Sequence, residues 1–245
     1  VFFFSDHGMR LWRHKQFLYE GGLKVPCVLR YYGQKQQLEQ GSVIDDLVSG
    51  IDIGITSLGF AGIGIPSHAE GRDIFAEDYS PREFVISARD RCDYTIDQIR
   101  SVRTVGYKYI KNFKTDRPYM QPNYKDEWEI TQIMRKEYAD GNLNEVQERF
   151  WKSERPEEEL YDLVKDPDEI HNLALDPNYE AVMRRHRDIL NDWIADTDDQ
   201  GQYPEDEEGL KVMLGIWGER CINPEYDKLK AEQPELSGTL EDMKS

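Results

Sequence analysis

Val1-Phe2-Phe3-Phe4 is an unbroken apolar run that passes directly into the polar Ser5-Asp6-His7-Gly8. That pattern predicts a buried strand of a parallel sheet delivering side chains at its carboxyl end. Residues 23–32, with Val25, Val28 and Leu29, predict a second core strand, entered at Pro26 where a missing N–H is tolerated. Residues 42–58 predict a helix, because Val43, Leu47, Ile51, Ile55 and Leu58 recur at helical spacing. Ser42 is its expected N-cap, Asp45-Asp46 fall in its first turn, and the glycines of residues 59–66 end it. Residues 84–87, a hairpin of 99–104 and 107–110 turning at Val105-Gly106, and residues 159–163 then read as strands of a small antiparallel sheet. Two further helices are expected over 124–139 and 179–194. The second begins after Asp176-Pro177-Asn178 and carries Val182, His186, Ile189, Leu190 and Trp193 on one face, a stripe read as core packing. From Asp196 onward the chain is acidic and turn-rich, with a short helix at 210–217 and an irregular stretch past Leu229.

Charge changes this picture in one respect. The 245 residues carry 48 acidic against 31 basic side chains, a net charge of -17. Such a field argues against non-specific nucleic-acid binding, which needs a basic face. Any anionic ligand must therefore be captured by a local cationic pocket, away from acidic runs such as Glu157-Glu158-Glu159 and Glu205-Asp206-Glu207-Glu208. Three dispersed cysteines form neither a disulfide framework nor a zinc pattern. No apolar run approaches the ~18 residues of a membrane span.

The candidate chemistry is concentrated at the start. Asp6 offers a hard oxygen and His7 an imidazole nitrogen, and Gly8 allows a tight turn behind them. With Lys15 following, the group suggests a divalent cation and an anion held side by side. His14 is a conceivable proton donor beside Lys15, and Arg10 and Arg13 are further cations. Arg89 and Arg91, in the dense run Ser87-Ala88-Arg89-Asp90-Arg91-Cys92-Asp93-Tyr94, could fork onto sulfate or carboxylate groups, or form a salt-bridged loop. Arg100 and Arg103 alternate with Ile99 and Val102, which favours ion pairing on an outer sheet face.

Taken in order, these motifs resemble the type I sulfatases of the alkaline phosphatase superfamily. The residues that carry the resemblance are Ser5-Asp6-His7-Gly8, Lys15, Tyr19-Glu20-Gly21-Gly22, Val25-Pro26, Gly71-Arg72-Asp73, Glu159-Leu160-Tyr161-Asp162-Leu163 and Asp166-Pro167-Asp168-Glu169-Ile170-His171-Asn172-Leu173-Ala174. In residues 50–63, Gly54 and Ile55 depart from the family's usual Ala-Pro. The later segments are similar to the heparan N-sulfatase (sulfamidase) group, from which Lys15 departs because that group carries arginine there. The fold implied is α/β. Residues 1–80 would be the C-terminal part of an alkaline-phosphatase-like sandwich, with a mostly parallel sheet and helices. Residues 81–200 would be an antiparallel-sheet α+β subdomain, and 201–245 an acidic extension.

The resemblance implies hydrolysis of sulfate esters or sulfamates, on a sulfated carbohydrate or an aryl sulfate. Asp6 and His7 would complete a Ca²⁺ site, although the imidazole would suit Mn²⁺, Fe²⁺ or Zn²⁺, and Mg²⁺ is a further alternative. Lys15 would contact the sulfate. The formylglycine nucleophile and the remaining carboxylates are expected in an N-terminal part of the same enzyme, so this stretch alone would be inactive. An extracytoplasmic location is expected on the same ground. A phosphodiesterase or phosphonate monoester hydrolase of the same superfamily, or an inactive sulfated-glycan-binding protein, are the competing readings. The sequence sets no oligomeric state.

Overall fold

The computed structural model describes residues 1–32 and 39–237. At its centre is a four-stranded antiparallel sheet in the order β3 (Phe84–Cys92), β4 (Thr95–Thr104), β5 (Tyr107–Asn112) and β6 (Glu158–Asp162). β4 is buried along almost its whole length, so it presents chemistry to both faces. On one face Val102, Tyr109 and Leu160 meet Met183 and Leu190 of a long helix, Glu180–Thr197. Each such burial contributes roughly 1.5–3 kcal/mol. On the other face Ile99, Ile110 and Tyr161 meet Phe17, Leu18 and Tyr19, residues of the N-terminal candidate region. The sheet therefore acts as the platform on which that region is laid.

The N-terminal elements are smaller. β1 (Phe2–Phe4) pairs antiparallel with β2 (Cys27–Leu29), with Phe3 opposite Val28. Among the described residues β1 pairs with β2 alone, and Phe3 is 72% exposed. Phe2 is half-buried beside the Phe60 ring, 6.3 Å away, whereas Phe3 and Phe4 are exposed. Helix α1 spans Glu20–Leu23, and α2 spans Gly50–Ala61 rather than residues 42–58. Asp52 explains the shift. Its carboxylate accepts from Ser49 N (2.8 Å), making Ser49 and not Ser42 the start, and it also accepts from Arg72 N (2.7 Å) and Arg82. Ser42 instead bonds Glu39 O. Gly62, at φ 66°, closes the helix in the left-handed region.

Further departures share one cause, contacts distant in sequence. The expected helix 124–139 is a 3₁₀ turn, Tyr124–Glu127, followed by α3 (Glu129–Ala139), with extended backbone at Trp128. Asn123 caps the turn by accepting from Lys125 N (2.9 Å), and the break lets Lys125 point inward. α4 (Glu145–Glu148) and α5 (Glu180–Thr197) follow. β3 runs on to Cys92, so the run expected as a loop is strand followed by a tight turn at Asp93, φ 48°. The acidic stretch holds two helices, α6 (Glu207–Trp217) and α7 (Pro224–Glu232), which pack on Tyr94 and Ile96 through Leu210, Leu214, Cys221 and Tyr226. The irregularity expected past Leu229 is thus a helix end and a 3₁₀ turn, Pro234–Ser237; residues 238–245 lie outside the described residues.

A buried ion cluster ties the sheet to the chain that follows it. Asp97 of β4 is fully buried, accepts from both terminal nitrogens of Arg155, accepts from Gln121 Nε2 (3.2 Å) and lies 3.6 Å from Arg89 Nη2. Burial pushes its carboxyl up, but Arg89 and Arg155 outweigh that and hold it below the ordinary range. Asp97→Asn leaves two buried guanidiniums facing each other without their counter-charge. The expected loss is on the order of 3–5 kcal/mol, read by urea unfolding; a loss below about 1 kcal/mol would show that neighbouring carbonyls suffice.

Candidate active site

From Ser5 to Tyr19 the chain has no regular secondary structure, only turns, so each side chain is placed by contacts from elsewhere. Gly8 N donates to Gly22 O (3.0 Å), and a Cβ on Gly8 would sit 1.8 Å from Gly21 O. Only glycine permits this approach between the Asp6-His7 loop and the Tyr-Glu-Gly-Gly segment. His7 Nδ1 donates to Gly8 O (2.7 Å), so the neutral ring carries its lone pair on Nε2, 3.6 Å from Asp6 Oδ2. Two electron-pair donors side by side, with the Asp6 side chain 83% exposed, suit a shared cation. Among the described residues no third His, Cys, Asp or Glu joins them, so the donor set fits a divalent ion only in part.

The chain then turns back. Lys15 N donates to Met9 O (3.0 Å), returning Lys15 to within two residues of His7. Arg13 and Gln16 adopt left-handed backbone, φ 60° and 83°, a strain that only surrounding contacts can hold. Those contacts are specific. Arg13 donates to the carbonyls of Asp168 (2.9 Å) and Glu169 (2.6 Å) and lies 4.2 Å over the Tyr19 ring. Gln16 O accepts from Arg89 (2.8 Å), and Gln16 Nε2 contacts Cys92. Arg10 stacks on Trp128 at 4.5 Å. His14 Nδ1 donates to Trp12 O (2.8 Å), and its ring packs against Gly21.

The next segment is riveted to the sheet. Tyr19 Oη donates to Glu159 (2.8 Å), which also accepts from Tyr161 and Asn112. Glu20 pairs with Lys108 (2.6 Å) and Arg103 (3.2 Å), and its backbone N–H donates to Glu169 Oε2 (2.7 Å). Burial raises the Glu20 carboxyl, yet Lys108 and Arg103 bring it below the ordinary value. Glu169 lacks such close compensation, with Lys108 at 3.9 Å, and burial pushes its carboxyl up to about 7.

Of the residues singled out from sequence, Lys15 and Arg89 share one neighbourhood, because Arg89 holds the carbonyl beside Lys15 while facing Asp97. Arg91 points elsewhere, to Glu205 and the Tyr226 hydroxyl, among the C-terminal helices. Arg100, expected on an outer face, is buried between Asp90 (2.6 Å) and Asp199 (2.9 Å), and Arg103 turns inward to Glu20. One residue was missed. Lys125 is fully buried, and its ammonium donates to Lys15 O (2.7 Å) and Leu11 O (3.5 Å). No carboxylate pairs with it among the described residues. No sequence signal marks Lys125, because its role depends on a break at Trp128 that periodicity does not announce.

Burial, together with the charges of Arg89, Lys15 and Arg10, lowers the Lys125 ammonium to about 8. Its ammonium already donates to two loop carbonyls, so an anion held near Lys15 would act on Lys125 through its field and favour the charged form. Anion binding restores the charged form and takes up a proton. Affinity should therefore be highest below pH 8 and fall as pH rises through that value. Calorimetric titration of inorganic sulfate into the intact protein checks this, and Lys125→Arg should move the fall to higher pH. A pH-independent affinity would remove Lys125 from the anion site.

Residues 7–156 match the family described as N-sulphoglucosamine sulphohydrolase, C-terminal. Two ulvan-active sulfatases of Formosa agariphila are similar to this chain. One is 33% identical over 218 residues, 88% of this chain, and the other 28% identical over 199 residues, 78% of it. Each alignment covers 36% of the relative, so the chain spans about a third of the length of the curated relatives it matches. A solved 2-O GAG sulfatase superposes with a TM-score of 0.58 at 25% identity, covering 84% of this chain and 38% of that one. The fold is therefore that of the C-terminal portion of a sulfatase. The cation-lined loop, the glycine-locked Tyr-Glu-Gly-Gly segment and the sheet beneath them fall within or beside the matched residues, and the chain belongs to the N-sulphoglucosamine sulphohydrolase C-terminal family.

Proposed function

We propose that this chain is the sulfate-holding C-terminal portion of a sulfatase that hydrolyses sulfate esters or sulfamates of sulfated glycans. The observation that carries this reading is the Lys15–Lys125 pair. A half-buried lysine is fixed through its own carbonyl by a second, fully buried lysine that pairs with no carboxylate among the described residues. An arrangement of this kind is stable chiefly when an anion completes it. Lys15 holds the nonbridging oxygens, and its charge meets the negative charge that grows as the S–O or S–N bond breaks. Arg89 and Gln16 fix the loop that carries it.

Asp6 and His7 contribute two of the donors for a divalent cation, Ca²⁺ by resemblance, with Mn²⁺, Mg²⁺ or Zn²⁺ as alternatives. When bound, the ion neutralises sulfate charge and lowers the pKa of an oxygen nucleophile. The remaining donors and a formylglycine nucleophile belong to an N-terminal part of the enzyme, the partner this chain requires. An extracytoplasmic location fits a polymeric sulfated substrate. No helix among the described residues is long and apolar enough to cross a membrane.

Lys15→Ala in the intact enzyme should lower kcat on a sulfated aryl ester by about 10²–10³-fold, with a smaller effect on KM. A change under about threefold would place Lys15 outside the chemistry. Asp6→Ala should abolish turnover and lower bound metal without altering thermal unfolding of the metal-free protein. Full metal occupancy with unchanged turnover would refute the ligand role.

A further inference from the structure

Arg10 has no acid to itself, although the chain carries 48 acidic side chains. Among the described residues its guanidinium makes neither a salt bridge nor a hydrogen bond. Two aromatic rings hold it instead. Its Cζ lies 4.5 Å over the Trp128 ring and 6.0 Å from the Tyr124 ring, and those rings meet edge to face at 5.8 Å. Other arginines around the site are spent within the fold. Arg89, Arg91, Arg100 and Arg103 each meet a carboxylate, and Arg13 is taken up by two carbonyls. A guanidinium stacked on a ring is held in place while its N–H edge remains free. Arg10 is exposed, so that edge is open to a ligand.

The Tyr124 ring joins Arg10 to the candidate sulfate site in space. The Lys15 ammonium lies 5.9 Å from the same ring centroid, so both cations sit against one ring. Both also act on the buried Lys125 ammonium, and none of the three pairs with a carboxylate among the described residues. A sulfate ester or sulfamate brings a single negative charge to these three cations. The surplus favours a ligand with a second anionic group, and a planar carboxylate meets a guanidinium fork with two parallel hydrogen bonds. We infer that Arg10 is a specificity-determining residue that reads a carboxylate on the same ligand whose sulfate Lys15 holds, which makes the substrate a sulfated uronic acid. This rests on the sulfatase reading above and narrows it. Selection is by a second charge beside the sulfate, and Trp128 and Tyr124 set where that charge must lie.

The test uses the intact enzyme and aryl esters that differ in one group. They are phenyl sulfate, the carboxyphenyl sulfates with the carboxylate ortho, meta or para, and resorcinol disulfate. The quantity read is kcat/KM of each doubly anionic ester relative to phenyl sulfate, compared between wild type and variant. That comparison cancels the effect of the added group on the leaving group. In Arg10→Gln the ratio should fall about tenfold for at least one carboxyphenyl ester. Arg10→Lys keeps the charge without the fork and should fall in between. Trp128→Leu removes the platform but not the cation, and should lower the ratio by about threefold. A ratio unchanged in Arg10→Gln for every carboxyphenyl ester would overturn the inference. A fall confined to resorcinol disulfate would also overturn it, because the group read would be a second sulfate. Neither result touches the sulfatase reading. That reading fails if the wild-type enzyme hydrolyses none of the esters, and the inference then falls with it.

Discussion

The Lys15 loop has no hydrogen-bonded ladder of its own, and the rest of the site depends on how buried charges of the sheet hold it. Lys108 and Arg103 grip Glu20, Glu159 grips Tyr19, and Arg89 takes the Gln16 carbonyl while facing Asp97. Each of these groups is costly to bury alone, and together they satisfy one another. The left-handed backbone at Arg13 and Gln16 persists because the contacts on either side leave the loop no relaxed alternative.

Glu169 is where two distant parts of the chain meet. Its carboxylate accepts the Glu20 N–H, its carbonyl accepts Arg13, and its own backbone is left-handed at φ 55°. Burial pushes Glu169 up and Lys108 down, so this pair leans toward sharing its charge, while Lys108 gives its close contact to Glu20. The segment Asp166-Pro167-Asp168-Glu169 thus serves the candidate site by holding Arg13 and Glu20.

A net charge of -17 does not keep cations from gathering locally, even though Asp97, Glu159 and Glu169 are themselves buried. Much of the acid is solvated, whereas Lys15, Lys125, Arg10 and Arg89 converge on one loop and act on one another.

The sequence by itself determined the order of chemistry along the chain. Asp6, His7, Lys15 and the glycines lie in one contiguous stretch that the family resemblance picks out, and strand alternation placed β5 and β6 within a residue or two of their observed bounds but started β4 four residues late, at 99 instead of Thr95. α5 was legible from its own periodicity, because Val182, His186, Ile189, Leu190 and Trp193 share one helical face. Only the tertiary structure decided what depends on contacts across the chain. The start of α2 shifts to Ser49 because Asp52 is bound by Arg72 and Arg82, and the antiparallel register of β1 on β2 is set by the fold of the chain between them. Arg89 and Arg91 sit two residues apart yet serve different ends of the sheet, which a register shift between them makes possible. Lys125 lies 110 residues from Lys15 and carries no motif, so its place beneath that lysine exists only once the chain has folded around it.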